Sequence, residues 1–142
     1  MSRRAATPFI ETFSGLKRRL SAVVEEVYAP LGIGATQAKL LRMIGERQPM
    51  SQADLARATA TDPALTGRLL RTLLDRGWVR RRRSREDRRA FSLELTPEGE
   101  DLYASVRAKR AALHARVEKC LDADDRAAFE RVAQKLLEAF PE

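Results

Sequence analysis

Eight arginines lie between positions 76 and 89, and only two acidic residues, Glu86 and Asp87, accompany them. Eight positive charges against two negative ones leave a surplus of six, which is almost the whole net charge of +7 that the chain carries. Concentrated positive charge suits a polyanion, because each neutralised phosphate releases counterions whatever the base sequence. The alternative for a basic stretch without further signals is a solvated charge run.

The residues around these arginines predict a β-hairpin. Trp78 and Val79 open an extended run, and positions 84–87 form a polar turn. Apolar residues then alternate with small or polar ones over positions 91–95, as in a half-buried strand. A capped helix that carries arginines comes directly before this hairpin, and this arrangement favours nucleic acid as the partner.

Helix-start signals predict the elements that must position the arginines. Capping side chains stand at Thr7, Ser51, Asp62, Thr96 and Asp122, each followed by a proline or by an acidic residue three positions later. With the apolar periodicity behind them, these signals predict four helices before the hairpin: from position 8 to about Tyr28, from Thr36 to near Pro49, from the Ser51 cap to about Ala58, and from Pro63 to Gly77. Two further helices are predicted after the hairpin, and they begin near Pro97 and Asp122.

Two of these helices, joined by a polar turn over Thr59–Thr61 and followed by a basic hairpin, form a winged helix-turn-helix. On the second helix, Leu65, Leu69 and Leu73 cluster on one side at about 100° per residue and would pack on the core. The opposite side carries the small residues Ala64 and Gly67, the basic residues Arg68 and Arg71, and the acidic Asp75. Such a side can enter a major groove, where arginine reaches a guanine edge or a phosphate. An ordinary exposed helix face is the alternative.

Composition narrows the class of protein. The chain has 142 residues, 44% of them hydrophobic and 33% charged, which indicates one α-rich globular domain. No apolar run approaches the roughly 20 residues that cross a bilayer, so we expect a cytoplasmic protein without a membrane partner. Cys120 and His114 are each unique and lie about 240° apart on one helix, which argues against a Cys–His nucleophile. We expect no catalysis, no metal site and no cofactor.

Several segments resemble the MarR family of bacterial transcriptional regulators. The matching residues are Thr36-Gln37, Ser51-Gln52-Ala53-Asp54-Leu55-Ala56, Leu65-Thr66-Gly67-Arg68-Leu69-Leu70, Arg76-Gly77-Trp78-Val79-Arg80-Arg81, Asp87-Arg88-Arg89 and Leu95-Thr96-Pro97-Glu98-Gly99. The resemblance implies a mainly α fold with a small β-hairpin wing, over a single domain at 1–142. Helices at 8–29 and 97–140 would form the dimerisation region, and 36–95 the DNA-binding lobe.

The resemblance also implies site residues. Those expected to contact DNA are Ser51, Gln52, Pro63, Ala64, Thr66, Gly67, Arg68, Arg71, Arg82, Arg83, Arg85, Asp87, Arg88 and Arg89. Asp87 would brace the wing by pairing with an arginine, and Arg89 would reach the minor groove. Two positions depart from the family: Gly67 replaces a frequent Ser or Thr, and Arg71 replaces a frequent Asp, so the operator sequence stays open.

Two further groups of residues follow from the same resemblance. An apolar stripe on the last helix is expected to make the dimer: Phe129, Val132, Ala133, Leu136, Leu137 and Phe140. Candidates to line a pocket for a small phenolic or other aromatic effector are Phe9, Phe13, Tyr28 and Met43, although ordinary core packing explains these four equally well. Cys120 is expected to be a small buried residue near the dimer core rather than a redox switch.

The expected function is therefore a sequence-specific regulator that binds a pseudo-palindromic operator in duplex DNA as a homodimer. Recognition helices would occupy two major grooves about one turn apart. Repression is the default, because such a dimer blocks polymerase by occupancy, and a small ligand would release it. The alternative is a non-specific nucleoid-associated or nucleic-acid-binding protein. The target genes and the effector are not determined by these residues.

Overall fold

The computed structural model describes residues 8–84 and 90–141. The chain divides into two compact units, the first ending at Arg107 and the second beginning at Ala108. The elements are α1 (Phe9–Tyr28), a short 3-10 turn (Ala29–Leu31), α2 (Ala35–Arg47), α3 (Gln52–Thr59), α4 (Pro63–Asp75), β1 (Val79–Arg83), β2 (Phe91–Leu95), α5 (Pro97–Cys120) and α6 (Ala123–Ala139). The expected mainly α fold with a β-hairpin is confirmed.

Four predicted caps, at Ser51, Asp62, Thr96 and Asp122, are in place and accept from backbone N–H groups that the first turn of a helix leaves unpaired, whereas Thr7 lies outside the described residues. The Ser51 hydroxyl accepts from the Asp54 N–H at 3.0 Å, and the Asp62 carboxylate accepts from the Leu65 N–H at 3.0 Å. At the start of α6, Asp122 and Asp125 accept reciprocally from each other's N–H. At α1 the prediction was wrong by one residue, since Pro8 is the N-cap and Phe9 the first helical residue.

The turn between α3 and α4 lies slightly later than predicted. Thr59 is the last residue of α3, where its hydroxyl donates to the Leu55 carbonyl at 2.7 Å. Ala60 then adopts a left-handed conformation with φ of 49°, which redirects the chain. Lys39 donates to the Thr59 carbonyl at 2.6 Å and so satisfies the end of the helix from outside. Lys39 of α2 therefore stabilises the turn of the helix-turn-helix from outside the motif.

The core of the first unit is built from aliphatic side chains of α2, α3, α4 and both strands: Leu40, Leu41, Ile44, Leu55, Leu70, Leu73, Val79, Leu93 and Leu95. On α4 the buried line is Thr66, Leu70 and Leu73, whereas Leu65 is 36% exposed. Of the predicted line, Leu73 is buried and Leu69 is partly buried against the core, so the prediction was wrong only for Leu65. Thr66 can be buried because its hydroxyl donates to the Asp62 carbonyl at 3.0 Å.

The strands pair antiparallel, with Val79 opposite Leu95 and Arg83 opposite Phe91. Directly after β2, the Thr96 hydroxyl donates to the Gly77 carbonyl and accepts from the Gly99 N–H. A Cβ at Gly99 would lie 1.9 Å from the Trp78 carbonyl oxygen, so only glycine fits there. These contacts explain the Leu-Thr-x-x-Gly pattern, which joins the hairpin to α5.

The second unit comprises the end of α5 and all of α6. Among its described residues none is buried, and the stripe on α6 reaches 66% exposure at Leu137 and 77% at Phe140. Glu118 and Arg126 form an ion pair at 3.8 Å within this unit. Over residues 8–84 and 90–141, we find no helix whose length and apolar character would carry it across a membrane.

Candidate nucleic-acid interface

A basic concavity of about 690 Å³ lies on the surface of the first unit, where α3, α4 and β1 meet. Its lining residues are Gln52, Ala64, Gly67, Arg68, Arg71, Leu74, Asp75 and Arg81. Three arginines against one aspartate make the concavity positive. Five of the residues expected to contact DNA line this concavity together: Gln52, Ala64, Gly67, Arg68 and Arg71.

The second helix of the motif supplies most of this surface. Because α4 buries Leu70 and Leu73, the side that carries Arg68 and Arg71 is left exposed. Pro63 and Ala64 are exposed at the start of the same helix, where small residues allow a close approach. This helix therefore has the features needed to enter a major groove.

Thr66 does not belong to this surface, and its assignment as a DNA contact was wrong. It is 0% exposed, and its hydroxyl is hydrogen-bonded to the Asp62 carbonyl. Its position in the chain next to Gly67 and Arg68 suggested a contact, but a helix turns about 100° per residue. The turn places Thr66 against the core.

The first helix of the motif contributes through its N-terminus. Ser51 is half-buried, and its hydroxyl is used as the cap of α3. Gln52 follows as the first helical residue, and its side-chain oxygen accepts from Arg81 Nη2 at 3.4 Å. The Asp54 carboxyl lies beside the Ser51 hydroxyl and the Arg57 guanidinium, which lower the pKa of Asp54 below its ordinary value of 3.8.

The strand register divides the wing arginines into two sets. Arg80 and Arg82 lie on the side of Glu94, whose carboxylate is 3.4 Å and 3.5 Å from their guanidinium nitrogens. Arg81 and Arg83 alternate to the other side, and all four are exposed. Arg82 and Arg83 are thus exposed, and their contact with DNA stays a prediction. Arg85, Asp87, Arg88 and Arg89 lie outside the described residues, and their roles stay predictions.

Sequence reasoning missed three residues of this region. Glu94 was expected only as a polar residue of the strand, yet it pairs with two arginines, and its place opposite Arg80 could have indicated this. Arg81 lines the concavity but was not assigned to DNA. Arg76, counted with the basic run, instead donates to the Gly32 carbonyl at 2.7 Å and lies 4.4 Å over the Trp78 ring. The Arg76 guanidinium therefore makes contacts within the first unit, to the Gly32 carbonyl and the Trp78 ring.

The four residues expected to line an effector pocket are not brought together in the chain. Phe9 and Phe13 are exposed and stack on each other with ring centres 6.2 Å apart. Tyr28 lies at the other end of the same helix, about 22 Å from Phe13 at 1.5 Å per residue. Tyr28 and Met43 are buried in the core. Core packing therefore accounts for Tyr28 and Met43, and an effector pocket that includes Phe9 and Phe13 stays a prediction.

Cys120 and His114 are both exposed in the single chain. The expectation of a buried Cys120 is therefore not met within one protomer. They lie on the same helix, α5, with Cys120 as its last residue.

A helix-turn-helix with a basic concavity, followed by an arginine-rich hairpin, defines a winged helix-turn-helix protein. The model of the MarR family matches residues 33–91, which run from just before α2 to the first residue of β2. The chain is 33% identical over 113 residues to the HTH-type transcriptional repressor Rv2887 of Mycobacterium tuberculosis, which covers 80% of this chain and 81% of that repressor. The chain belongs to the MarR family.

Solved structures are similar as well. A mutant MarR from E. coli complexed with operator DNA superposes with a TM-score of 0.81 at 26% identity, over 92% of this chain and 94% of that one. Rv2887 of M. tuberculosis in complex with salicylic acid gives a TM-score of 0.68 at 30% identity, over 92% and 97% of the two chains. The relatives are regulators rather than enzymes, in agreement with the expected class.

Proposed function

We propose that this protein is a transcriptional repressor that recognises a specific duplex-DNA operator as a homodimer. The observation that carries the proposal is the concavity in which Arg68 and Arg71 of α4 meet Arg81 of β1. Arginines on an exposed recognition helix can read guanine through its O6 and N7 atoms, and the wing arginines can contact backbone or minor groove. The DNA-bound relative supports this placement.

The homodimer is supported by apolar side chains that a single chain leaves in water. On α6 and directly after it they are Phe129, Val132, Leu137 and Phe140, and on α1 they are Ile10, Leu16 and Leu20. Burial of a large apolar side chain stabilises by roughly 1.5–3 kcal/mol. Two protomers would present two winged motifs, and the operator would be a pseudo-palindrome with half-sites about one turn apart.

A small aromatic effector is part of the proposal, since a relative at 30% identity is bound to salicylic acid. In this chain the stacked pair Phe9 and Phe13 is exposed and available to such a ligand, whereas Tyr28 and Met43 are committed to the core. We expect salicylate to lower operator occupancy, as measured by fluorescence anisotropy of labelled duplex. An unchanged titration at millimolar salicylate contradicts that ligand and leaves DNA recognition intact.

The central test is the loss of discrimination in Arg68→Ala. An operator is first selected by the purified protein from a random duplex pool, and affinity is then measured for that operator and for random duplex at fixed salt. If Arg68 reads a base, its removal should reduce discrimination by about 1–3 kcal/mol. Both affinities should fall steeply with salt, because phosphate contacts release counterions.

Arg42→Ala is the control, because it removes the same charge from α2, where Arg42 pairs with Glu46 and does not line the concavity. It should leave discrimination unchanged. An equal loss for Arg68→Ala on operator and random duplex would make Arg68 a phosphate contact. A wild-type protein that binds random duplex as tightly as the selected operator would refute sequence recognition and favour a non-specific nucleic-acid-binding protein.

A further inference from the structure

The side-chain carboxamide of Gln52 lies between the recognition helix and the wing. Gln52 is the first residue of α3, directly after the Ser51 cap, so its backbone is well anchored. Its Oε1 accepts from Arg81 Nη2 of β1 at 3.4 Å, across 29 positions of sequence. One side chain thus connects the two elements whose arginines form the concavity.

The other end of the carboxamide lies against α4 at Gly67. A Cβ placed at Gly67 would be 3.3 Å from Gln52 Nε2, closer than such atoms normally approach. The absence of a side chain at position 67 therefore makes the space that the carboxamide occupies. An alanine at position 67 would require Gln52 Nε2 to move by a few tenths of an ångström.

Movement at one end of the carboxamide moves the other end, because the group is planar and rigid. The hydrogen bond from Arg81 is already at the long limit, so a small displacement is enough to break it. Arg81 shares the concavity with Arg68 and Arg71, whose like charges favour its turning away. The acceptor on Gln52 counters that tendency and holds the Arg81 guanidinium in place.

We propose that Gly67 and Gln52 are positioning residues that together set the direction of Arg81, and through it the DNA sequence that the concavity prefers. The inference rests on the proposed DNA recognition and adds a coupling between α4 and the wing. Arg81 contacts the DNA, while Gln52 acts through Arg81 and Gly67 acts through Gln52. Sequence preference in this protein then depends on a residue that has no side chain.

The test is a cycle of Gly67→Ala, Gln52→Ala and the double variant, each used to select its own preferred sequence from a random duplex pool. Gly67→Ala should change the preference between operator and a single-base variant by about fivefold, a coupling of about 1 kcal/mol. In the Gln52→Ala background the clashing carboxamide is absent, so Gly67→Ala should have no further effect. Arg81→Ala should change preference at the same base position.

Two further measurements separate positioning from damage to the fold. Alanine is a better helix former than glycine, so the thermal midpoint of Gly67→Ala should not fall. A fold defect weakens binding to every duplex alike and leaves the preferred bases unchanged. An unaltered preference in Gly67→Ala, or an effect that persists in the Gln52→Ala background, overturns the proposal. A wild type without any preferred sequence instead refutes the proposed function itself.

Discussion

The two units of this chain differ in how far they bury their apolar side chains. In the first unit, α2, α3, α4 and the strands bury large aliphatic side chains within one protomer, although α1 leaves Ile10, Leu16 and Leu20 exposed. Of the described residues from position 108 onward none is buried, although α6 carries phenylalanines and leucines. The first unit therefore has its own hydrophobic core, whereas the apolar side chains of the second are exposed within the protomer.

This difference has an energetic meaning. Burial of apolar area is the main favourable contribution to folding, and it must offset the entropy lost on ordering the chain. For the core formed by α2, α3, α4 and the strands the contribution comes from contacts within the protomer. For α6 the proposed dimer would supply most of it, and the order of this helix would then depend on the concentration of protomers.

The strongest test of the comparison is to charge the α6 stripe with Val132→Glu and Leu136→Glu together. The charged side chains cannot be buried against an apolar partner without a large cost, so the variant should be monomeric at micromolar concentration. Loss of two-site binding should then lower operator affinity by about a hundredfold or more. Light scattering and fluorescence anisotropy measure the two effects. An intact wild-type monomer at the same concentration contradicts the dimer altogether.

A second test replaces one leucine in each unit with alanine. Leu70→Ala should lower the free energy of unfolding by about 2–5 kcal/mol, since Leu70 is completely buried in the core of the first unit. Leu137→Ala should instead raise the dimer dissociation constant, because Leu137 is 66% exposed in the protomer. Urea denaturation and sedimentation equilibrium separate the two outcomes. Equal effects of both variants on unfolding, with no change in association, would remove the proposed difference between the units.

The smallest expected effect concerns acid. The Ser51 hydroxyl and the Arg57 guanidinium lower the pKa of Asp54 below its ordinary value of 3.8. Asp54 therefore stabilises the fold above the unfolded pKa, and this contribution is lost as the pH falls through the lower, folded value. The effect is slight because the carboxyl is exposed. Thermal midpoints of wild type and Asp54→Asn should converge as the pH falls below about 3.8, and a constant difference contradicts the assignment.

Helix starts could be predicted because caps are local. Asp62 and Asp122 accept from N–H groups three residues away, so each signal and its partner lie within one turn of sequence. The β-hairpin followed from alternation over a few residues. The surface of α4 was predicted only in part: Arg68 and Arg71 were placed correctly, but Thr66 was not, because a leucine count does not show where α2 and α3 pack.

Chain order and residue type by themselves determined the helices, their caps, the hairpin and the position of the positive charge, since each depends on neighbours within a few residues. Only the tertiary structure decided how the arginines are used. Arg76 binds the Gly32 carbonyl across 44 positions, and Arg81 meets Gln52 across 29. Such partners are chosen by the packing of distant elements, and a flexible guanidinium can donate a hydrogen bond to any nearby oxygen. For this reason charge could be located from the sequence, whereas the role of each arginine required the fold.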